Sequence, residues 1–307
     1  MNIVRAFSAI VLIGSLSACQ TATPIPITPT SPAIIPTPTP ELLTPVSEPK
    51  TLAFGHSYTN VHYCTDGDTP LKMTIVLPNK RLREPTPVLI HTKFMPDLLQ
   101  PLIERGFIVV NLSWREPPEH KLPIGIYDVK CGIRYLRAHA DFYQLDPDQI
   151  GVFGCSRGGH TAAMVGVTDS DDNMEGDFGF ADRSSRVQAV VMFDGIADFR
   201  TNYTDAESEL AEVHGITSFD DPLILRLSPI YFATKDDPPF LLIASDAQSG
   251  HWQRQAQTLT DALVAQGVPA TYIAAKDAGH CQFAPTGAHS VDNMITMIGD
   301  FFEDTLK

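Results

Sequence analysis

The sequence predicts one α/β domain: an eight-stranded, mostly parallel sheet with helices on both faces. Three observations lead there. Beyond residue 86, continuous apolar runs of strand length alternate with amphipathic runs of helix length, the pattern of βαβ units whose strands are buried on both faces. Ahead of them, two strand-like runs are joined by the turn-rich "TDGDTP", an antiparallel hairpin. Setting the N-terminal region aside leaves residues 51–307, roughly 255 residues, enough for one domain with an ample core.

The N-terminal region divides in two. Residues 1–18 carry one positive charge, Arg5, and an apolar run from Ala6 to Leu16 followed by small residues. That run is too short to span a bilayer and is expected to be a secretory signal peptide. The ending "LSAC" resembles the lipobox of bacterial lipoproteins, in which the signal is cut before the cysteine, here Cys19, and the thiol carries lipid. The alternative is an ordinary secretory signal with an incidental cysteine. Residues 19–50 add a linker dense in proline and threonine without helix or strand periodicity. Proline fixes φ and removes donors, so an extended spacer is expected, reaching up to roughly 90 Å. The expected address is a bacterial cell envelope, with the protein lipid-anchored on the outer face of a membrane or in the periplasm.

Within the domain, "SYTNVHYC" and "LKMTIVLP" form the hairpin. "PVLIHT" is the next strand, followed by the helix "DLLQPLIERG" and the strand "FIVVNLSW". The helix "IYDVKCGIRYLRAHADFY" and the strand "QIGVFG" come next, then "VQAVVMF", "PFLLIAS" and "ATYIAA", with the helix "WQRQAQTLTDALVAQG" between the last two. "SVDNMITMIGDFFEDTL" is the closing helix. Two polar insertions, 168–186 and 198–235, are assigned to the C-terminal side of the sheet, where open α/β folds place their sites.

The net charge of −14 argues against a nucleic-acid partner. No later stretch is long and apolar enough to cross a membrane, so membrane contact is expected only through the N-terminal lipid. Metal-ligand spacings such as H-E-x-x-H or C-x-x-C do not occur, nor does a phosphate-cradling glycine loop, and no metal or cofactor is expected. Besides Cys19 there are four cysteines, Cys64, Cys131, Cys155 and Cys281, and an exported chain can pair them in three ways.

The chemistry concentrates at two strand ends. "GCSRG", residues 154–158, fits G-x-S-x-G between a strand and a small-residue helical segment, the setting of a nucleophile elbow that exposes Ser156. Serine at its free pKa is a poor nucleophile and needs a base. His280 in "AGHCQF", after the last strand and before the last helix, holds the base's place in the order Ser, acid, His.

These stretches, with "YDVKCGIRYLRAHADFYQLDPDQIGVFGCSRGGH", "SSRVQAVVMFDGIADF" and "SPIYFATKDDPPFLLI", resemble small bacterial α/β-hydrolase esterases related to feruloyl and acetyl esterases and hormone-sensitive lipase. The resemblance implies Ser156 as nucleophile, His280 as general base and a small-molecule ester as substrate. It also resembles tannases and fungal feruloyl esterases locally: these carry a Cys-Ser and a His-Cys whose cysteines bond to each other. "GCS" and "GHC" reproduce both pairs, which implies a Cys155–Cys281 disulfide and leaves Cys64 and Cys131 as free thiols or a second pair.

Two departures from the family pattern stand out. Relatives place the acid in a pattern like H-G-x-x-D, and here Gln248 of "IASDAQSGHW" stands in the aspartate's place. Asp246, two residues earlier, faces the same side of an extended strand end and is the expected acid, with Asp198 and Asp277 as alternatives. H-G-G-G is replaced by "HTKF", so the backbone N–H of Thr92 or Lys93, with that of Arg157, is expected to hold the oxyanion. The Arg157 side chain is a candidate handle for a substrate carboxylate or an ion-paired structural arginine. Trp114 and Trp252 are candidates for stacking on an aromatic or sugar ring, or for plain packing. The expected function is a serine carboxylesterase working through an acyl-enzyme, possibly on aromatic or carbohydrate-linked esters. The alternatives are an amidase or peptidase of the same fold, or a non-catalytic surface binding protein on a hydrolase scaffold.

Overall fold

A computed structural model describes residues 48–66, 69–177, 179–201, 216, 218, 221–247 and 250–306. The expected signal peptide, Cys19, most of the expected linker, Gln248 and much of the second insertion lie outside these. The strands are β1 (Lys50–Thr51), β2 (Gly55–Asp66), β3 (Thr69–Pro78), β4 (Thr86–His91), β5 (Ile108–Leu112), β6 (Leu145–Cys155), β7 (Ala189–Phe193), β8 (Phe240–Ser245) and β9 (Ala270–Ala275). They form one sheet in the order β1-β2-β3-β5-β4-β6-β7-β8-β9. The hairpin side is antiparallel, and every pair from β5 to β9 is parallel. The ninth strand is the addition to the expected eight: β1 pairs two residues with Ser57 and His56, too short a run to show any periodicity.

The helices are α1 (Leu99–Glu104), α2 (Ile124–Ala138), α3 (Ala140–Tyr143), α4 (Arg157–Val167), α5 (Pro222–Arg226), α6 (His251–Ala265) and α7 (Val291–Thr305). The single helix expected over 126–143 is two. It breaks at His139, whose φ of −112° and ψ of 22° leave the helix, and whose ring stacks on Tyr135 at 4.0 Å while Nδ1 reaches the Tyr135 carbonyl at 2.8 Å.

The continuous apolar strands are explained by two cores, one on each face of the sheet. Ile90, Val110, Val152, Val190 and Leu242 point to one face, with α2, α4 and α6. Their neighbours Leu89, Val109, Phe153, Val191 and Leu241 point to the other, with α1 and α7. Each fully buried side chain of this kind stabilises by about 1.5–3 kcal/mol. A third, smaller cluster gathers Leu122, Phe199, Ile216, Ile224 and Leu227 around the second insertion.

The first insertion is not on the C-terminal side of the sheet. It follows α4, which has already carried the chain back towards the strand starts. Arg137 of α2 ties Ser184 and Arg186 of that insertion to Pro147, at the beginning of β6. Two buried cations of α2 hold it: Lys130 Nζ donates to the Thr168 carbonyl (2.9 Å) and to Glu175 (2.6 Å), and Arg134 donates to Glu175 (2.6 Å).

Candidate active site

β6 ends at Cys155 and α4 starts at Arg157, so Ser156 alone makes the turn between them. Its φ of 55° and ψ of −123° are unusual for a residue with a side chain and project the hydroxyl out of the turn. The turn is held by Ser156 N–H to the Phe193 carbonyl and His160 N–H to the Ser156 carbonyl, both 2.9 Å. The flanking glycines are required by contact. A Cβ at Gly154 would overlap Thr92 Oγ1, and one at Gly158 would sit 2.8 Å from the Lys93 backbone nitrogen.

His280 arrives from the loop after β9, with Nε2 3.0 Å from Ser156 Oγ. Beside this pair, Cys155 and Cys281 form a disulfide with a Cα–Cα distance of 5.7 Å, within the usual range. Cys64 and Cys131 form a second one at 6.4 Å, joining β2 to α2.

The carboxylate facing His280 Nδ1 is Asp194, at 3.4 Å, and not Asp246. Asp246 follows β8 and is exposed, and its oxygens accept the backbone N–H groups of Asp277 (3.0 Å) and Ala278 (3.2 Å) in the histidine loop. It staples the histidine loop instead of meeting the imidazole. Asp198 is engaged by Tyr231 OH and by the Arg200 backbone, and Asp277 lies in the exposed turn. Asp194 follows the last residue of β7 and is buried, with its carboxylate held by Ser245 N–H (2.8 Å), Ser245 Oγ (2.8 Å) and Cys281 N–H (3.0 Å). The sequence signal for it, an aspartate directly after a buried strand at the strand end where open α/β sheets assemble their sites, is shared by Asp246 and so does not choose between them.

Thr92 is likewise not the oxyanion donor, because its N–H is committed to the Phe153 carbonyl at 2.9 Å. Its hydroxyl is also turned inward, within 2.9 Å of the Phe153 carbonyl and 2.8 Å of the Gly158 carbonyl. The amide that abuts the elbow is the next one, Lys93. His91 shapes this loop, which has no glycine. Its Nδ1 bonds Asn111 Oδ1 at 3.0 Å and its Nε2 accepts Met95 N–H at 3.1 Å, drawing residues 92–95 into a tight turn with Phe94 at φ 64°. Burial holds His91 below the ordinary imidazole range, so the ring is neutral and Nδ1 carries the proton.

Arg157 is an ion-paired arginine: its guanidinium lies 3.5 Å from Glu116, which also pairs with Lys93. The two tryptophans serve the protein itself. Trp114 Nε1 donates to the Thr92 carbonyl at 2.8 Å. Trp252 stacks on His280, ring centroids 4.5 Å apart and planes 18° apart. Among the described residues no helix is long and apolar enough to cross a membrane.

Comparison with known proteins finds esterases similar to this chain in sequence and fold. The family model described as BD-FAE matches residues 89–263, more than half of the chain. A probable carboxylic ester hydrolase, LipM, of Mycobacterium tuberculosis is 32% identical over 54% of this chain and 39% of its own length. Esterase LipC of the same organism is 29% identical over 70% of this chain and 58% of its own. The chain thus spans about two fifths to three fifths of these curated relatives. Among solved structures, a truncated carbohydrate esterase from gut microbiota superposes with a TM-score of 0.72 at 27% identity, covering 84% of this chain and 99% of that one.

Proposed function

The chain belongs to the BD-FAE family of α/β-hydrolases, and on that premise we propose that it is a serine carboxylic ester hydrolase working through an acyl-enzyme. The observation that carries this is the 3.0 Å approach of His280 Nε2 to a serine oxygen presented by a strained strand-to-helix turn. Ser156 Oγ attacks the ester carbonyl as His280 Nε2 takes its proton. The tetrahedral oxyanion is held by the backbone N–H groups of Lys93 and Arg157, the latter heading the first turn of α4. The imidazolium returns its proton to the leaving alkoxide, and water repeats the sequence on the acyl-enzyme. Asp194, the buried carboxylate on the Nδ1 side, stabilises the imidazolium. A carbohydrate-linked ester is the substrate class that the superposed carbohydrate esterase supports, and the exposed Phe94 in the oxyanion loop adds an aromatic surface. Cys19 is proposed to carry the lipid that anchors the enzyme in a bacterial cell envelope, and Cys19→Ser is expected to release it from membranes.

The test is hydrolysis of p-nitrophenyl acetate by the purified protein, with fluorophosphonate labelling of Ser156. Turnover that vanishes in Ser156→Ala supports the proposal. A folded protein that neither turns over ester nor labels refutes it and leaves a binding protein on a hydrolase scaffold.

A further inference from the structure

We propose that Trp252 is a positioning residue for the general base: its indole fixes the plane of the His280 imidazole and supports the cation that forms there. This rests on the serine-hydrolase reading above. The need for such a residue is visible in the geometry. His280 Nδ1 is buried and has no hydrogen-bond partner among the described residues, because Asp194 Oδ2 stands 3.4 Å away without hydrogen-bond alignment. Asp194 is itself occupied by Ser245 and Cys281. The carboxylate supplies charge and little orientation, and the His280 side chain remains about one third exposed.

Orientation comes from the ring face. Trp252 is the second residue of α6, which begins on Gly250 in the left-handed region, and the indole is 4% exposed. The His251 ring meets it edge-on, with centroids 4.7 Å apart, so the indole is itself held. Stacking at 4.5 Å and 18° leaves the imidazole free to slide but not to tilt, which keeps Nε2 directed at Ser156. Once His280 has taken the serine proton, the same contact becomes a cation over an aromatic face. That stabilisation is larger in the transition state than in the resting enzyme, so it acts on kcat and not on KM.

The experiment compares the full-length protein with Trp252→Phe, Trp252→Leu and Trp252→Met, reading kcat and KM on p-nitrophenyl acetate, the thermal midpoint, and the histidine ring signals by selective isotope labelling. His280→Ala identifies the relevant signal. The expected result is roughly a tenfold loss of kcat in the Leu and Met variants with KM within about twofold, and recovery to within about threefold in the Phe variant. The His280 ring protons, shifted upfield by the indole in the wild-type protein, should move downfield in the Leu and Met variants. Equal kcat in the Phe, Leu and Met variants per folded molecule overturns the proposal, as does a His280 signal indifferent to Trp252. Two non-aromatic variants are used so that one failing to fold does not remove the test. A wild-type protein that is inactive and unlabelled at Ser156 overturns the hydrolase reading, and this assignment falls with it.

Discussion

The two disulfides sit in one fold and do different work. Cys64–Cys131 joins β2 to α2 within the larger core, on the helix whose Lys130 and Arg134 hold the first insertion through Glu175. Cys155–Cys281 joins the residue before Ser156 to the residue after His280. Their closed loops separate 67 and 126 residues, for which chain-entropy reasoning gives about 4.4 and about 4.9 kcal/mol. Entropy barely distinguishes them; location does. One bond stabilises packing alone, while the other also limits how far the base can move from its nucleophile. Around the second bond three residues with side chains, Ser156, Asp194 and Cys281, adopt φ between 46° and 58°. Around the first, in β2 and α2, the only such residue among those described is Asn60.

The strongest test lies on the active-site side. Asp194→Asn should lower kcat by up to about 10⁴, the loss found where a triad carboxylate also fixes the histidine tautomer, whereas Asp246→Asn should cost less than about tenfold by loosening the histidine loop. Steady-state hydrolysis of p-nitrophenyl acetate by both variants checks the assignment, and the opposite ranking would return the acid role to Asp246.

The comparison itself is broken most directly by removing each bond. Cys64→Ala with Cys131→Ala, and Cys155→Ala with Cys281→Ala, should each lose about 2–5 kcal/mol in denaturant unfolding. Only the second pair should also lose activity per folded molecule. Equal activities in the two double variants would mean that the site-side bond acts as a structural brace like the other.

On the core side, Glu175→Gln leaves Lys130 and Arg134 buried without their shared carboxylate. Removing one partner of such a network costs about 3–5 kcal/mol. Unfolding curves should record that loss while kcat stays at the wild-type level.

The smallest effects are in pH dependence. Burial lowers the pKa of His91, so the neutral ring belongs to the native state, and its stabilisation is present above the ordinary value of 6.5 and lost as pH falls below it. Burial pushes the Glu175 carboxyl up, but Lys130, Ser185 and Arg134 outweigh it, and its pKa is lowered from 4.5. Its contribution is therefore present above pH 4.5 and lost below it. Urea unfolding between pH 7 and 4 should show the loop-side loss first, removed in His91→Gln, and the core-side loss only in the lower part of the range.

The chain order of β2 to β9 and of the longer helices, the serine on its turn and the late histidine were legible in the sequence, because each is a local pattern: apolar period, glycine spacing, position after a strand; the two-residue β1 and the short α5 were not. The break at His139 was not, since it depends on a ring packing back on Tyr135. Nor was the acid. Asp194 and Asp246 both follow buried strands, and their roles were decided by which carboxylate the chain turns inward towards Ser245 and which it leaves on the surface to cap Asp277 and Ala278. The oxyanion loop and Trp252 belong to the same class. Composition and spacing determined that this chain builds a parallel sheet with a serine and a histidine at its strand ends. Only the tertiary structure decided which carboxylate, amide and indole surround them, because these come from separate strand ends and loops whose directions are set by packing that no local pattern records.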